Sequence, residues 1–237
     1  MEAHIMGDFD SIFAIFYSLY RGEADTPTST DDEYIVALAL SKEAISRWAN
    51  YDGTYWKELF TTLGVAPTGL SGVGGDRTTV AGTSDYACPT NMREAGGFVK
   101  LKDSDGFTVK SYVILEPEQV QFRNENARYC YFTGDPNNGF TLNLNPVPTI
   151  SGLTIDYTYY KKPTYFTTGT DKTEMADPMF IVHRMLANRF RVSRNPYYSS
   201  AKLDAENCLK TMQADNNSGT WANPWSLVDN SGSVFGE

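Results

Sequence analysis

Histidine and cysteine are scarce in this chain, and their scarcity removes most catalytic and metal chemistries. There are two histidines, His4 and His183. His183 lies beside Arg184 in a helical pattern, a setting for a surface or interface residue rather than a general base. The three cysteines, Cys88, Cys130 and Cys208, form no CxxC pair and no disulfide framework. They read as small apolar side chains in a reducing compartment. HExxH, GxSxG and calcium-loop patterns are absent. Asp31-Asp32 reads as a helix cap and Asp103-Ser104-Asp105 as a turn, with metal binding the alternative. No catalytic residue, metal ligand or cofactor site is therefore expected, and the chain is not read as an enzyme.

Positive charge is also short. Lys and Arg total 20 against 29 Asp and Glu, a net charge of −9. Free nucleic acid is then a poor main partner, because affinity for it rests on neutralising phosphates. An acidic surface would instead let DNA slide past without sticking. Long apolar runs are missing too. The longest, Ile12 to Tyr20, is too short to span a bilayer. MEAHIMGDFD supplies no basic region before that run, so neither a membrane span nor a signal peptide is expected. Aromatic residues are plentiful, with 15 Tyr and 13 Phe, which suits broad packed faces in a core or an interface. A chain of 237 residues allows a sizeable core in one or two domains.

The most legible stretch runs from Leu153 to Phe190. Leu153, Ile155, Tyr157 and Tyr159 alternate with Thr154, Asp156, Thr158 and Tyr160, the period of a half-buried strand. Pro163 ends that ladder. After a polar connecting loop over Thr164 to Ala176, Asp177-Pro178 supplies a cap and a first helical turn. The helix to Phe190 turns Met179, Val182, Leu186 and Phe190 to one face, widened by Phe180 and Met185. His183, Arg184, Arg189 and Arg191 lie on its other side. Asn195-Pro196 repeats the cap and opens a second helix to about Ala214, so the two form a hairpin.

Upstream, Asp8 to Tyr20 and Asp31 to Ala49 read as amphipathic helices, the second behind a capping box at Thr30-Asp31-Asp32-Glu33. Tyr34, Leu38, Ser41, Ile45 and Trp48 share one face, with Ala37 and Ala44 allowing close approach. Tyr55 to Leu63 reads as a short helix stopped by Gly64. Gly64 to Gly82 is glycine-rich, but Gly75 is followed by Asp76-Arg77 and no strand leads in, so it reads as a loop and not a phosphate cradle. Short segments then alternate with turn signals: Phe98 to Leu101, Thr108 to Leu115, Val120 to Phe122, Arg128 to Thr133 and Phe140 to Leu144. The last residues, from Asp215, are rich in Asn, Ser and Gly yet hold Trp221 and Trp225. Segments without fixed structure are poor in aromatics, so this tail is expected to fold onto another subunit.

The expected fold is α+β: a helical bundle body with an inserted small antiparallel β-sandwich or barrel module and an extended C-terminal tail. Residues 1–64 would be N-terminal helices of the body and 65–85 the glycine-rich loop. The β module would cover 86–163, the C-terminal helical hairpin 164–214 and the docking tail 215–237.

The order of these elements carries a resemblance. Helices come first, then a β module ending in NLNPVPTISGLTIDYTYYKKP (Asn143 to Pro163), then DPMFIVHRMLANRF (Asp177 to Phe190), a second helix and a tail. This resembles the head-to-tail adaptor, or connector, proteins of tailed bacteriophages. The resemblance implies a virion protein, assembled in the host cytoplasm, that forms a homo-oligomeric, commonly dodecameric, ring beneath the portal. Its partners would be the portal protein and tail or neck proteins, with DNA passing through the channel without sequence-specific binding. Trp221, Trp225, Leu227, Val228 and Phe235 would dock on the portal. The basic side at Arg184, Arg189, Arg191 and Arg194 would meet acidic neighbours or the channel. The alternative is a β-sandwich module for carbohydrate or receptor on a helical stalk, with Tyr129, Tyr131, Tyr157 and Tyr159 as stacking surfaces.

Overall fold

The computed structural model describes residues 7–23, 26–63, 78–123 and 127–218. In chain order the elements begin with α1 (Phe9–Arg21), α2 (Asp32–Ala49), β1 (Phe60–Thr62), β2 (Asp85–Ala87), β3 (Met92–Lys102) and β4 (Thr108–Ile114). Then come α3 (Pro117–Val120), β5 (Tyr129–Asp135), β6 (Gly139–Asn145), β7 (Thr154–Lys161), α4 (Met179–Val192) and α5 (Tyr198–Ser218). The described residues divide into two compact units. One holds the chain through Leu59 and from Pro163 onward, the other Phe60–Lys162.

In the helical unit, α1 starts where the Asp8 carboxylate accepts the Ser11 amide at 2.8 Å. It stops at Gly22, whose φ of 74° is the left-handed C-cap conformation that glycine adopts without a Cβ penalty. Phe9, Ile12, Phe13, Phe16 and Tyr17 are its buried stripe. Asp31 precedes α2, but its carboxylate turns back to the Thr28 amide at 2.7 Å instead of capping the helix. It fixes the entering turn in place of the expected capping box. Beyond α2, Trp56 donates its Nε1 hydrogen to the Trp48 carbonyl at 2.7 Å, and both rings are buried. The far end of α5 is tied to this segment: Asn216 accepts the Lys57 amide and donates to the Tyr55 carbonyl, each at 2.9 Å.

The helix expected over Tyr55 to Leu63 does not form. A 3-10 turn at Lys57–Leu59 passes directly into β1. Phe60, Thr61 and Thr62 are aromatic and β-branched, and they pair antiparallel with Tyr160, Tyr159 and Thr158 of β7. Ladder pairing overrides a short helical preference.

The sheet unit holds one seven-stranded sheet in the order β1-β7-β3-β4-β5-β6-β2. Neighbours are antiparallel except β4 and β5, which run parallel at Val113–Tyr129 and Ile114–Cys130. A parallel pair needs a crossover, here residues 115–128 with α3, whose capping box joins Glu116 and Gln119. The strand expected at Val120 to Phe122 is therefore the end of α3 and its following turn. β3 changes register against β7 between Gly96 and Lys100. Gly97 sits there at φ 76° and the Thr158 hydroxyl donates to the Gly96 carbonyl at 2.7 Å. Such an irregularity bends a strand and increases its twist. Leu153, Ile155, Tyr157 and Tyr159 turn inward with Val99, Leu101, Tyr112, Cys130 and Leu142, forming one core on one face.

This corrects the expected architecture. The chain is a mixed α/β protein dominated by a single curled, half-barrel sheet with five described helices; it is not a helical bundle body carrying a small antiparallel sandwich. The physical reason is that a curled sheet buries one face against itself. Its strands alternate as those of a sandwich do, so the alternation alone cannot separate the two.

Candidate functional site

α4 is the centre of the helical unit and packs on α1, α2 and α5. Its start and that of α5 follow one local rule. The Asp177 carboxylate accepts the Met179 amide at 3.0 Å, and the Asn195 side-chain oxygen accepts the Tyr197 amide at 2.9 Å. Each Asx-Pro pair thus supplies an acceptor for the first helical amides. Packing on three sides buries Phe180, Val182, Met185, Leu186 and Phe190, and also Ile181 and Ala187. The arginines occupy the strip that remains.

The structure divides the four arginines. Arg184 grips Glu43 of α2 through two bonds, Nε to Oε2 at 3.1 Å and Nη2 to Oε1 at 2.6 Å, and Asn188 adds a third to Oε2 at 3.0 Å. Burial pushes the Glu43 carboxyl up, but the hydrogen bonds and charge of Arg184, with help from Asn188 and Arg47, outweigh it and hold it below the usual value. Arg189 places its guanidinium over the Tyr20 ring, 5.3 Å from the centroid, and Arg21 makes a second such contact at 5.1 Å. Arg191 and Arg194 are exposed and make no ion pair among the described residues.

Between α2 and α4 lies a groove of about 330 Å³. Val36, Leu40 and Val192 give it apolar walls, and Glu43, Arg184 and Arg191 stand at its polar side. Ile35 is 54% exposed and Val192 77% exposed. Sequence reasoning assigned α2 a single buried face and passed over this outer one. The signal was present: Ile35 to Leu40 is an unbroken apolar run, longer than one helical stripe can hide.

The loop before α4 serves the fold. Its Asp171 and Gly169 carbonyls accept the Phe9 and Asp10 amides at 3.1 and 2.9 Å, two of the donors a helix start leaves open. The Asp171 carboxylate takes the Thr167 and Thr168 amides at 2.6 and 2.7 Å and the Thr167 hydroxyl at 2.6 Å, and it is held far below the usual carboxylate range. Asp103 likewise accepts the Asp105 and Phe107 amides, as its turn requires.

His183 is half-buried on α4. Tyr157 and Tyr159 are core residues, whereas Tyr129 and Tyr131 are half-buried. His4, residues 64–77 and the tail residues Trp221, Trp225, Leu227, Val228 and Phe235 lie outside the described residues. Among the described residues no group of three or more His, Cys, Asp or Glu could hold a metal ion, and no helix is long and apolar enough to cross a membrane. No curated protein matches the chain. Residues 24–226 match a family model described as SU10 adaptor protein.

Proposed function

The chain belongs to the SU10 adaptor protein family, a phage head-to-tail adaptor family, and from that premise we propose that it forms a ring joining the capsid to the tail around the DNA channel. Membership makes it a phage adaptor and a structural virion component, not an enzyme, with portal and tail proteins as its implied partners. The finer reading is a homo-oligomeric ring of twelve copies docked beneath the portal. The observation that carries it is the length of the family match, which runs through both the helical and the sheet units.

Three features support the reading. An exposed apolar groove with the cation Arg191 at its edge is what a repeated protein contact uses, because closed rings repeat one heterologous interface. The net charge of −9 suits a channel through which DNA moves without adhering. The tail, with Trp221, Trp225, Leu227, Val228 and Phe235, supplies aromatic and aliphatic anchors for the portal. Arg191 and Arg194 are the members of the basic side left to meet an acidic neighbour or the channel.

Electron microscopy tests this directly. Class averages of the purified protein, and of the virion it belongs to, should show a closed ring of this chain between head and tail. Density for the chain anywhere else on the particle would overturn the reading.

A further inference from the structure

The α2–α4 groove is a surface with one apolar and one cationic requirement, and the same unit carries a face that meets both. Val36, Leu40 and Val192 are open to an apolar side chain. Arg191 is exposed beside them, while Arg184 is already occupied by Glu43. On α5, Ala201, Ala205, Leu209 and Met212 form the buried stripe. Leu203, 55% exposed, lies on the opposite side of that helix with Asp204 next to it, also exposed and in no ion pair among the described residues. Lys202, the nearest cation on α5, is engaged by Glu206 at 3.7 Å.

We propose that the groove seats the α5 helix of a second copy of this chain, Leu203 entering between Val36, Leu40 and Val192 and Asp204 pairing with Arg191. An uncovered leucine beside an uncompensated carboxylate is the complement of an apolar groove beside an uncompensated guanidinium. Groove and ridge are different surfaces of one chain, on different helices. The contact is therefore heterologous, and repetition makes a closed ring or a filament rather than a two-fold dimer. This inference rests on the proposed ring for its biological setting and names the surfaces that would build it.

Disulfide trapping tests the pairing in the full-length protein. In a Cys208→Ser background, Val192→Cys and Leu203→Cys are combined and the concentrated protein is oxidised with copper phenanthroline. The expected product is a ladder of dimers, trimers and higher species on a non-reducing gel. Adding Arg191→Glu should reduce the ladder at least tenfold, and adding Asp204→Arg to that variant should restore it. Circular dichroism at matched concentration checks that each variant is folded. A product that stops at dimers, a ladder insensitive to Arg191→Glu, or no cross-linked product overturns the pairing. The two readings separate cleanly. A ring in virions without a ladder sinks this interface alone, and a ladder without a ring at the head–tail junction sinks the proposed function alone.

Discussion

Glu43 joins two helices far apart in sequence, and its worth is set by how wet the pair is. The side chains of Arg184 and Glu43 are 18% and 44% exposed, so solvent screening keeps the contribution modest. Glu43→Gln should destabilise the protein by about 0.5–1 kcal/mol at pH 7 in urea titrations. The sign with pH follows from the lowered carboxyl. Its stabilisation is fully present above the unfolded value and is lost as pH falls through the folded one. The difference between wild type and Glu43→Gln should therefore shrink towards zero in acid; a difference that grows on acidification would show that Glu43 is not held below its usual value. Gly169 offers a second test. A Cβ there would run into the Asp10 carboxylate, which accepts the Tyr34 hydroxyl at 2.7 Å. Gly169→Ala should cost about 1–2 kcal/mol by displacing that carboxylate, and Asp10→Ala, which removes the obstacle, should make the glycine substitution nearly neutral in a double-mutant cycle.

Elements were legible in proportion to how local their causes are. α1, α2, α4 and α5 are announced by caps and apolar spacing within a few residues, and β7 by strict alternation. The helix mistaken at Tyr55 to Leu63 failed because the partner of β1 is β7, almost a hundred residues away in the chain. The parallel step between β4 and β5 was equally hidden, since nothing in Val113 or Tyr129 records strand direction. The assignment of faces can be checked on β7 and β4. Ile155 lies in the core and Val113 is exposed on the other face of the sheet. Ile155→Ala should cost about 2–4 kcal/mol, whereas Val113→Ala should stay within about 0.5 kcal/mol. Comparable losses at both positions would reject the one-sided core.

At the scale of the whole molecule, the tail poses the decisive experiment. α5 continues to Ser218, and Asn216 is bonded to the Tyr55–Lys57 segment. A truncation made after Ser218 keeps that tie, where one made at Asp215 would remove it. The shortened protein should retain its helical circular dichroism and solubility and should fail to decorate portal-bearing heads. Normal occupancy of heads by the truncated chain, seen by electron microscopy, would remove the tail from the docking scheme.

The sequence by itself determined the elements with local signals, α1, α2, α4, α5 and β7, and the side of β7 that joins the sheet core, and it offers only two histidines and three separated cysteines. These depend on composition and on spacing along the chain. The element order also carried the adaptor resemblance, and the family match agrees with it. Only the tertiary structure decided that the strands make one curled sheet instead of two facing ones. It alone paired Arg184 with Glu43, and it left Arg191 and the outer face of α2 uncovered. Those outcomes depend on contacts between residues distant in the chain, and strand alternation and helical periodicity are the same whichever partner fills the other side.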